Sequence, residues 1–365
     1  MSWSYNNPGV DAVQMWTNNA AGYSSKGDLV VNGVHQVIVT VGITFTESTP
    51  TQQELGDALF FIDNNTGEPV TLFKSSTTAH SPAYLTLYNN PSSAATTPDA
   101  PAPIASTVPE MQNYQCLIDF YLSSAPADNP DNDGETISLK LVVPIEDGQT
   151  KPYDFSASGN SKYITSLDIS CHPATIYNST NVTLTQDAHD PNKTYTETQI
   201  TDSGDYSGVD LGPYNLYRLR IDDDYLQFND VKHQSATYIN TYTIGIAGYH
   251  ASENHNEWGN VYDLTDHNKL GRQIYTAKLY MDYGTDTGTN YVAPWGYFTT
   301  PVAQGAGEYI FMRSNATIHT TLWSDHLLAN DVNYDAHDQF GTPITITIQT
   351  NAGYPQLKKV SQPSF

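Results

Sequence analysis

The densest run of side chains able to ligate a metal is His250-Ala251-Ser252-Glu253-Asn254-His255-Asn256-Glu257-Trp258. Two imidazoles, His250 and His255, and two carboxylates, Glu253 and Glu257, form a donor set suited to zinc or a similar divalent ion. A metal held there would activate water for hydrolysis. The spacing is not the His-Glu-x-x-His of a helical metalloprotease. The run follows a strand-like stretch, so a loop is expected, and a solvated Asn/Glu-rich turn is the plainer alternative. His319, His326 and His337 follow near Asp325, Asp331 and Asp335. Nothing in their spacing brings them to the first cluster.

Two acidic runs invite other chemistry. Asn129-Pro130-Asp131-Asn132-Asp133-Gly134-Glu135 has part of a calcium loop. A complete EF-hand loop needs Asp at its first position and Glu at its twelfth, where this chain has Asn129 and Lys140. An Asp-Gly hairpin turn is the expectation instead. Asp222, Asp223 and Asp224 are carboxylates of the kind that work in pairs in glycosidases. Adjacent residues on a strand end point to opposite sides, so a turn accounts for them better. The chain has no Gly-x-Ser-x-Gly elbow, no P-loop and no Gly-x-Gly-x-x-Gly after a strand. No catalytic residue is therefore assigned, and a non-enzymatic role is expected. No organic cofactor is expected, and a divalent metal is the one inorganic candidate.

Aromatic residues make the best binding candidates. Pro294-Trp295-Gly296-Tyr297-Phe298 puts three rings in five residues, and Trp258 and Trp323 lie in the same half of the chain. Rings flanked by Asn and Asp suit sugars, because flat faces stack on C–H groups while amides bind hydroxyls. The candidate ligand-binding set is Trp258, Trp295, Tyr297 and Phe298. The competing reading is that these rings fill a core.

The elements that must position these residues are strands. The 365 residues are only 15% charged, and the polarity comes from Asn, Thr, Ser, Gln and 26 Tyr. Thr and Tyr favour pleated, half-buried surfaces, while Asn, Gly and Pro favour turns. On Tyr114–Leu122 the residues Tyr114, Cys116, Ile118, Phe120 and Leu122 alternate with more polar ones, and Tyr163–Cys171 alternates likewise. Asn32-Gly33 between β-branched runs predicts a hairpin, as does Asp133-Gly134. Thr51 and Glu54 have capping-box spacing before Leu55, which predicts one brief helical turn. The expected fold is all-β, with two β-sandwich-like domains, long irregular loops and few short helical turns.

The boundaries follow from composition. Residues 1–27 read as a leader, with a short helix over 8–16. An N-terminal domain covers 28–175, including a Pro-rich strap at 89–110. A Thr/Asn-rich junction or protruding hairpin covers 176–212. A C-terminal domain covers 213–356, and 357–365 reads as a disordered or swapped tail. Cys116 and Cys171 sit on apolar strand faces, and their pairing stays open.

A net charge of −24 repels phosphate backbones, so nucleic acid and anionic membranes are poor partners. No apolar run approaches the ~20 residues of a membrane helix. The first residues show no basic segment followed by an apolar one, so a classical secretory signal is not expected. The cytoplasm or a non-classical export route then remains, although the composition resembles that of extracellular proteins. Scarce Lys and abundant Thr, Tyr and Asn leave sheet edges free to pair. The leading expectation is a binding or self-assembling structural protein, partnered by its own copies or by cell-surface glycan. The alternatives are a pore-forming or insecticidal-type toxin using a Thr-rich hairpin at 180–201, and a metal-dependent hydrolase.

Overall fold

The computed structural model describes residues 9–19, 22–46, 49–88, 114–144, 149–156, 163–187, 209–233, 238–239, 244–252, 255–263, 273–274, 277–284, 290–298, 302–303, 305, 307–318, 331–351 and 354–363. The fold is all-β, with one short helix among the described residues. The chain divides into two compact units. The first runs to Thr175 and includes Phe340–Thr342; the second holds Ile176–Gln339 and Pro343–Ser364.

The first unit contains β1 (Val10–Asn19), β2 (Gly22–Ser24), β3 (Lys26–Val31), β4 (Val37–Phe45), α1 (Gln52–Ala58), β5 (Leu59–Asp63) and β6 (Lys74–Ser76). It continues with β7 (Cys116–Ser123), β8 (Glu135–Pro144), β9 (Thr150–Asp154), β10 (Tyr163–Ile164) and β11 (Leu167–Pro173). One sheet has the order β10-β1-β4-β7-β6, with β2 beside β1; the other has the order β3-β11-β8-β5, with β9 beside β8. Period-two alternation turns one row of the central strands inward. Val39, Val41 and Ile43 of β4, Ile118, Phe120 and Leu122 of β7, and Ile137, Leu139 and Leu141 of β8 all enter one core. Phe61 and Phe120 meet edge to face across it, ring centroids 5.2 Å apart. The predicted capping box holds α1: Thr51 Oγ1 accepts from Glu54 N, and Glu54 Oε2 accepts from Thr51 N.

Three expectations fail in this unit, for related reasons. Residues 10–19 are not a leader or helix but an inner strand; Val13 and Met15 enter the core, and Trp16 on the other face is also buried. Burial on both faces hides the alternation. Asn32-Gly33 does not close a hairpin, because β3 pairs with β11 and β4 pairs with β1 and β7. The turn itself forms: Asn32 Oδ1 accepts from the Val34 and His35 amides, and Gly33 has φ +80°. Its strands simply leave for opposite sheets. The loop before Gly134 behaves alike, since β7 and β8 lie in different sheets. A Cβ at Gly134 would stand 2.7 Å from the Ile169 carbonyl oxygen, so this glycine permits close approach to β11.

The second unit contains β12 (Val182–Gln186), β13 (Val209–Ile221), β14 (Phe228–His233), β15 (Tyr238–Ile239), β16 (Ile244–Ser252), β17 (His255–Asp263) and β18 (Gln273–Ile274). It continues with β19 (Ala277–Gly284), β20 (Asn290–Phe298), β21 (Val302–Ala303), β22 (Tyr309–Ile318), β23 (Asp331–Asp338), β24 (Pro343–Asn351) and β25 (Tyr354–Ser361). A six-stranded sheet, β12-β13-β22-β17-β16-β15, and a four-stranded sheet, β14-β23-β24-β25, contribute to one core. Two two-stranded pieces, β18-β21 and β19-β20, stand apart from them in pairing. The core is built on Leu219, Phe311, Tyr334, Ile346 and their neighbours. Buried Tyr177 donates its hydroxyl to Asp338 at 2.7 Å. The expected tail is largely strand: β25 pairs with β24, Val360 is buried, and Lys358 bonds Asp331. Of the proposed 180–201 hairpin, only the first arm falls on described residues, and it pairs with β13.

Leu139 is fully buried on β8, whereas Leu117 is 47% exposed on β7. Leu139→Ala should lower the unfolding free energy by about 2–5 kcal/mol, and Leu117→Ala by less than about 0.5 kcal/mol. Urea denaturation followed by tryptophan fluorescence measures both.

Candidate functional site

The His/Glu run is mostly strand rather than the expected loop. Backbone register sets His250 opposite Trp258 and His255 opposite Ser252 on the β16–β17 hairpin. The β-forming residues on both sides extend the ladder until two positions remain between the strands. Glu253 is one of these and lies outside the described residues. Glu257 stands opposite Thr317 of β22. Among the described residues no group of three or more His, Cys, Asp or Glu is placed to hold a metal, and the side chains of this hairpin are not among those described. His319 and His326 also lie outside the described residues. His337 is separate: its Nδ1 lies 2.7 Å from Asp230 Oδ1, across the β14–β23 ladder.

The aromatic candidates fall on two different sheets. Trp258 is on β17, within the six-stranded sheet. Trp295, Tyr297 and Phe298 are on β20, whose only partner among the described residues is β19. Leu279 pairs with Gly296 and Tyr280 with Pro294, so Trp295 is the extra residue of a β-bulge. Bulges bend a strand and re-aim the residue they contain. Pro294 has no amide hydrogen to donate, which favours a break in the ladder at this point.

The two acidic runs are turns. Asp223 Oδ1 accepts from the Tyr225 and Leu226 amides, fixing Asp222–Asp224 between β13 and β14. Asn129 Oδ1 accepts from Asp133 N, and Asn129 Nδ2 donates to Asp133 O. The loop thus binds its own backbone.

Sequence reading missed two clusters of titratable groups in the first unit. In the first, His172 Nε2 lies 2.8 Å from Asp28 Oδ1, and the Tyr88 ring stacks on His172 at 3.9 Å. Beneath them His35 is 1% exposed. Its Nδ1 accepts from the Val30 amide, and its Nε2 faces the Thr86 carbonyl. That pattern requires a neutral ring protonated on Nε2. Burial pushes its pKa down to about 4. His35 and His172 thereby fasten residues 86–88 to the sheet. Asp28 and His172 meet because β3 and β11 pair in parallel, a long-range event without a local signal.

In the second cluster Glu135 lies beside Asp63. Burial first, then the Asp63 carboxylate, raise Glu135 to about 7. Hydrogen bonds from Thr66 hold Asp63 below the usual carboxylate range. Cys171 is a free thiol pushed up to about 11 by burial, so it is not a ready nucleophile. Cys116 is also free, on the other sheet. The Asn129 amide lies 3.5 Å from Cys171 Sγ.

Comparison with known proteins finds no family model and no curated protein that matches this chain.

The two clusters act oppositely on stability. His35 binds a proton more weakly folded than unfolded, so its neutral form favours folding above pH 6.5 and that advantage is lost as pH falls toward 4. Glu135 binds a proton more strongly folded, so its contribution is lost as pH rises from 4.5 toward 7. In a Glu135→Gln background the unfolding free energy should fall by about 2 kcal/mol between pH 7 and pH 5. Adding His35→Asn should flatten that fall, as read by urea midpoints at the two pH values. Glu135→Gln alone should stabilise the protein at pH 8, where the native side chain is a poorly solvated anion.

Proposed function

We propose that the chain is a non-enzymatic binding and assembly protein that recognises carbohydrate through the β19–β20 ribbon. The observation that supports this reading is the ribbon's architecture. Four aromatic residues, Tyr291, Trp295, Tyr297 and Phe298, lie on β20, Trp295 falls at a bulge, and among the described residues neither strand pairs with a third. An antiparallel ribbon with open edges offers backbone donors and acceptors to a neighbouring copy. Its sequence is rich in aromatic residues, the type that stacks on sugar rings. Asn290 begins the strand and Asp282 lies opposite Val292 in register, residue types that bind sugar hydroxyls. Trp258 belongs to another sheet and is not needed for this reading.

Two measurements test it. A glycan array should retain the protein, and Trp295→Ala or Tyr297→Ala should weaken retention by more than about fivefold while circular dichroism stays constant. Light scattering on a sizing column should show concentration-dependent association. A strict monomer that retains no glycan would overturn the proposal.

A further inference from the structure

The first unit has an apolar pocket of about 350 Å³ that the ribbon does not touch. It opens where the terminal strands β5 and β6 of the two sheets come close. Phe61, Phe73, Leu122 and Ile137 form its buried wall. Phe60, 50% exposed, and the half-buried Val70 stand nearer the mouth. Residues 68–70 close over the edge of β5: Asp63 N donates to Glu68 O, and Val70 N to Phe61 O. Ile62 and Pro69 pair as an isolated bridge. This short strap prevents strand addition at that edge, because Pro69 has no amide hydrogen to offer. The space it leaves suits a small molecule rather than a strand. Its volume falls within the range of small-ligand sites, which begins at about 300 Å³.

One cation lines this pocket. Lys140 is opposite Phe60 on β8, and among the described residues no ion pair engages its ammonium. The carboxylate nearest in register is Asp154 on β9. Asp154 Oδ1 accepts from the amide and hydroxyl of Ser156, at 2.9 and 2.6 Å, and Lys140 adds only a weaker, longer-range attraction to this carboxylate. In a chain with 15 basic and 39 acidic residues, a lysine without a close ion pair at an apolar pocket is a selective feature. It favours an anion where the overall charge disfavours one. Apolar walls supply affinity through buried methylene groups, and Lys140 supplies orientation and preference for charge.

We propose that this pocket binds a small amphiphile with an apolar chain and one anionic head, of the fatty carboxylate class. The chain lies against Phe60, Ile62 and Val142, on the face of the β5–β8 pair that carries Lys140, and the head meets Lys140. Isothermal titration calorimetry of the full chain with decanoate and with decanol tests this. Decanoate should bind saturably at one site per chain, and decanol about fivefold more weakly. Lys140→Gln should remove that difference. Val70→Trp should fill the pocket and abolish binding of both, with circular dichroism unchanged. If Val70→Trp does not fold, methyl chemical shifts of the unmodified protein decide: changes centred on Ile62, Val70 and Val142 support the site, and changes centred elsewhere overturn it. Equal binding of the two probes, no binding of either, or undiminished binding to folded Val70→Trp would also overturn it.

Discussion

Each sheet of the first unit turns an apolar face to a shared core, and neither can bury that face alone. This constraint shapes most of what surrounds it. Ile137, Leu139 and Leu141 need the row Val39, Val41 and Ile43 and the row Ile118, Phe120 and Leu122 as neighbours. Burying a side chain of this size favours folding by roughly 1.5–3 kcal/mol, more than a single turn contributes. The chain therefore gives up local strand pairing at Asn32-Gly33, and at the loop before Gly134, to place successive strands in opposite sheets. The turns keep their preferred geometry, with Asn32 and Asn129 binding nearby backbone, while the strands they join part.

Several polar groups drawn into the two cores are satisfied in pairs or left neutral. His35 stays uncharged between a backbone donor and a backbone acceptor. Tyr177 reaches Asp338. In the second unit Arg218 holds Asp187 through Nε at 2.8 Å and Nη2 at 3.1 Å, and Glu308 through Nη1 at 2.8 Å. Glu308 Oε2 also accepts from the Gly305 amide. This arrangement links the end of β12 to β13 and to the approach to β22. Such largely desolvated ion groups contribute modestly as a whole, but losing one member leaves a charge without its partner.

The surfaces considered for function are distinct. The aromatic ribbon is a backbone feature of the second unit, open at both edges among the described residues. The His/Glu hairpin belongs to the large sheet of that unit. The apolar pocket belongs to the first unit and arises from the strap over β5. A glycan and a neighbouring copy would thus engage the ribbon and an anionic amphiphile the pocket, and each depends on a different physical term: ring stacking and backbone hydrogen bonding for the first two, chain burial for the third.

The sequence by itself determined the strand content, because alternation on Tyr114–Leu122 and the Thr, Tyr and Asn composition act locally. It also determined α1, since a capping box is a contact across three residues, and the turn at Asp222–Asp224. It carried the aromatic run on β20 but not the bulge at Trp295, which needs a partner strand to define it. Residues 10–19 misled because both faces of β1 are covered, and residues 357–361 because their apolar contacts come from β24 and the core. Sheet membership, the meeting of Asp28 with His172 across 144 residues, and the pocket beside Lys140 were decided only by the tertiary structure. A local rule fixes backbone angles over a few residues; which sheet receives a strand depends on how much apolar surface the whole unit can bury.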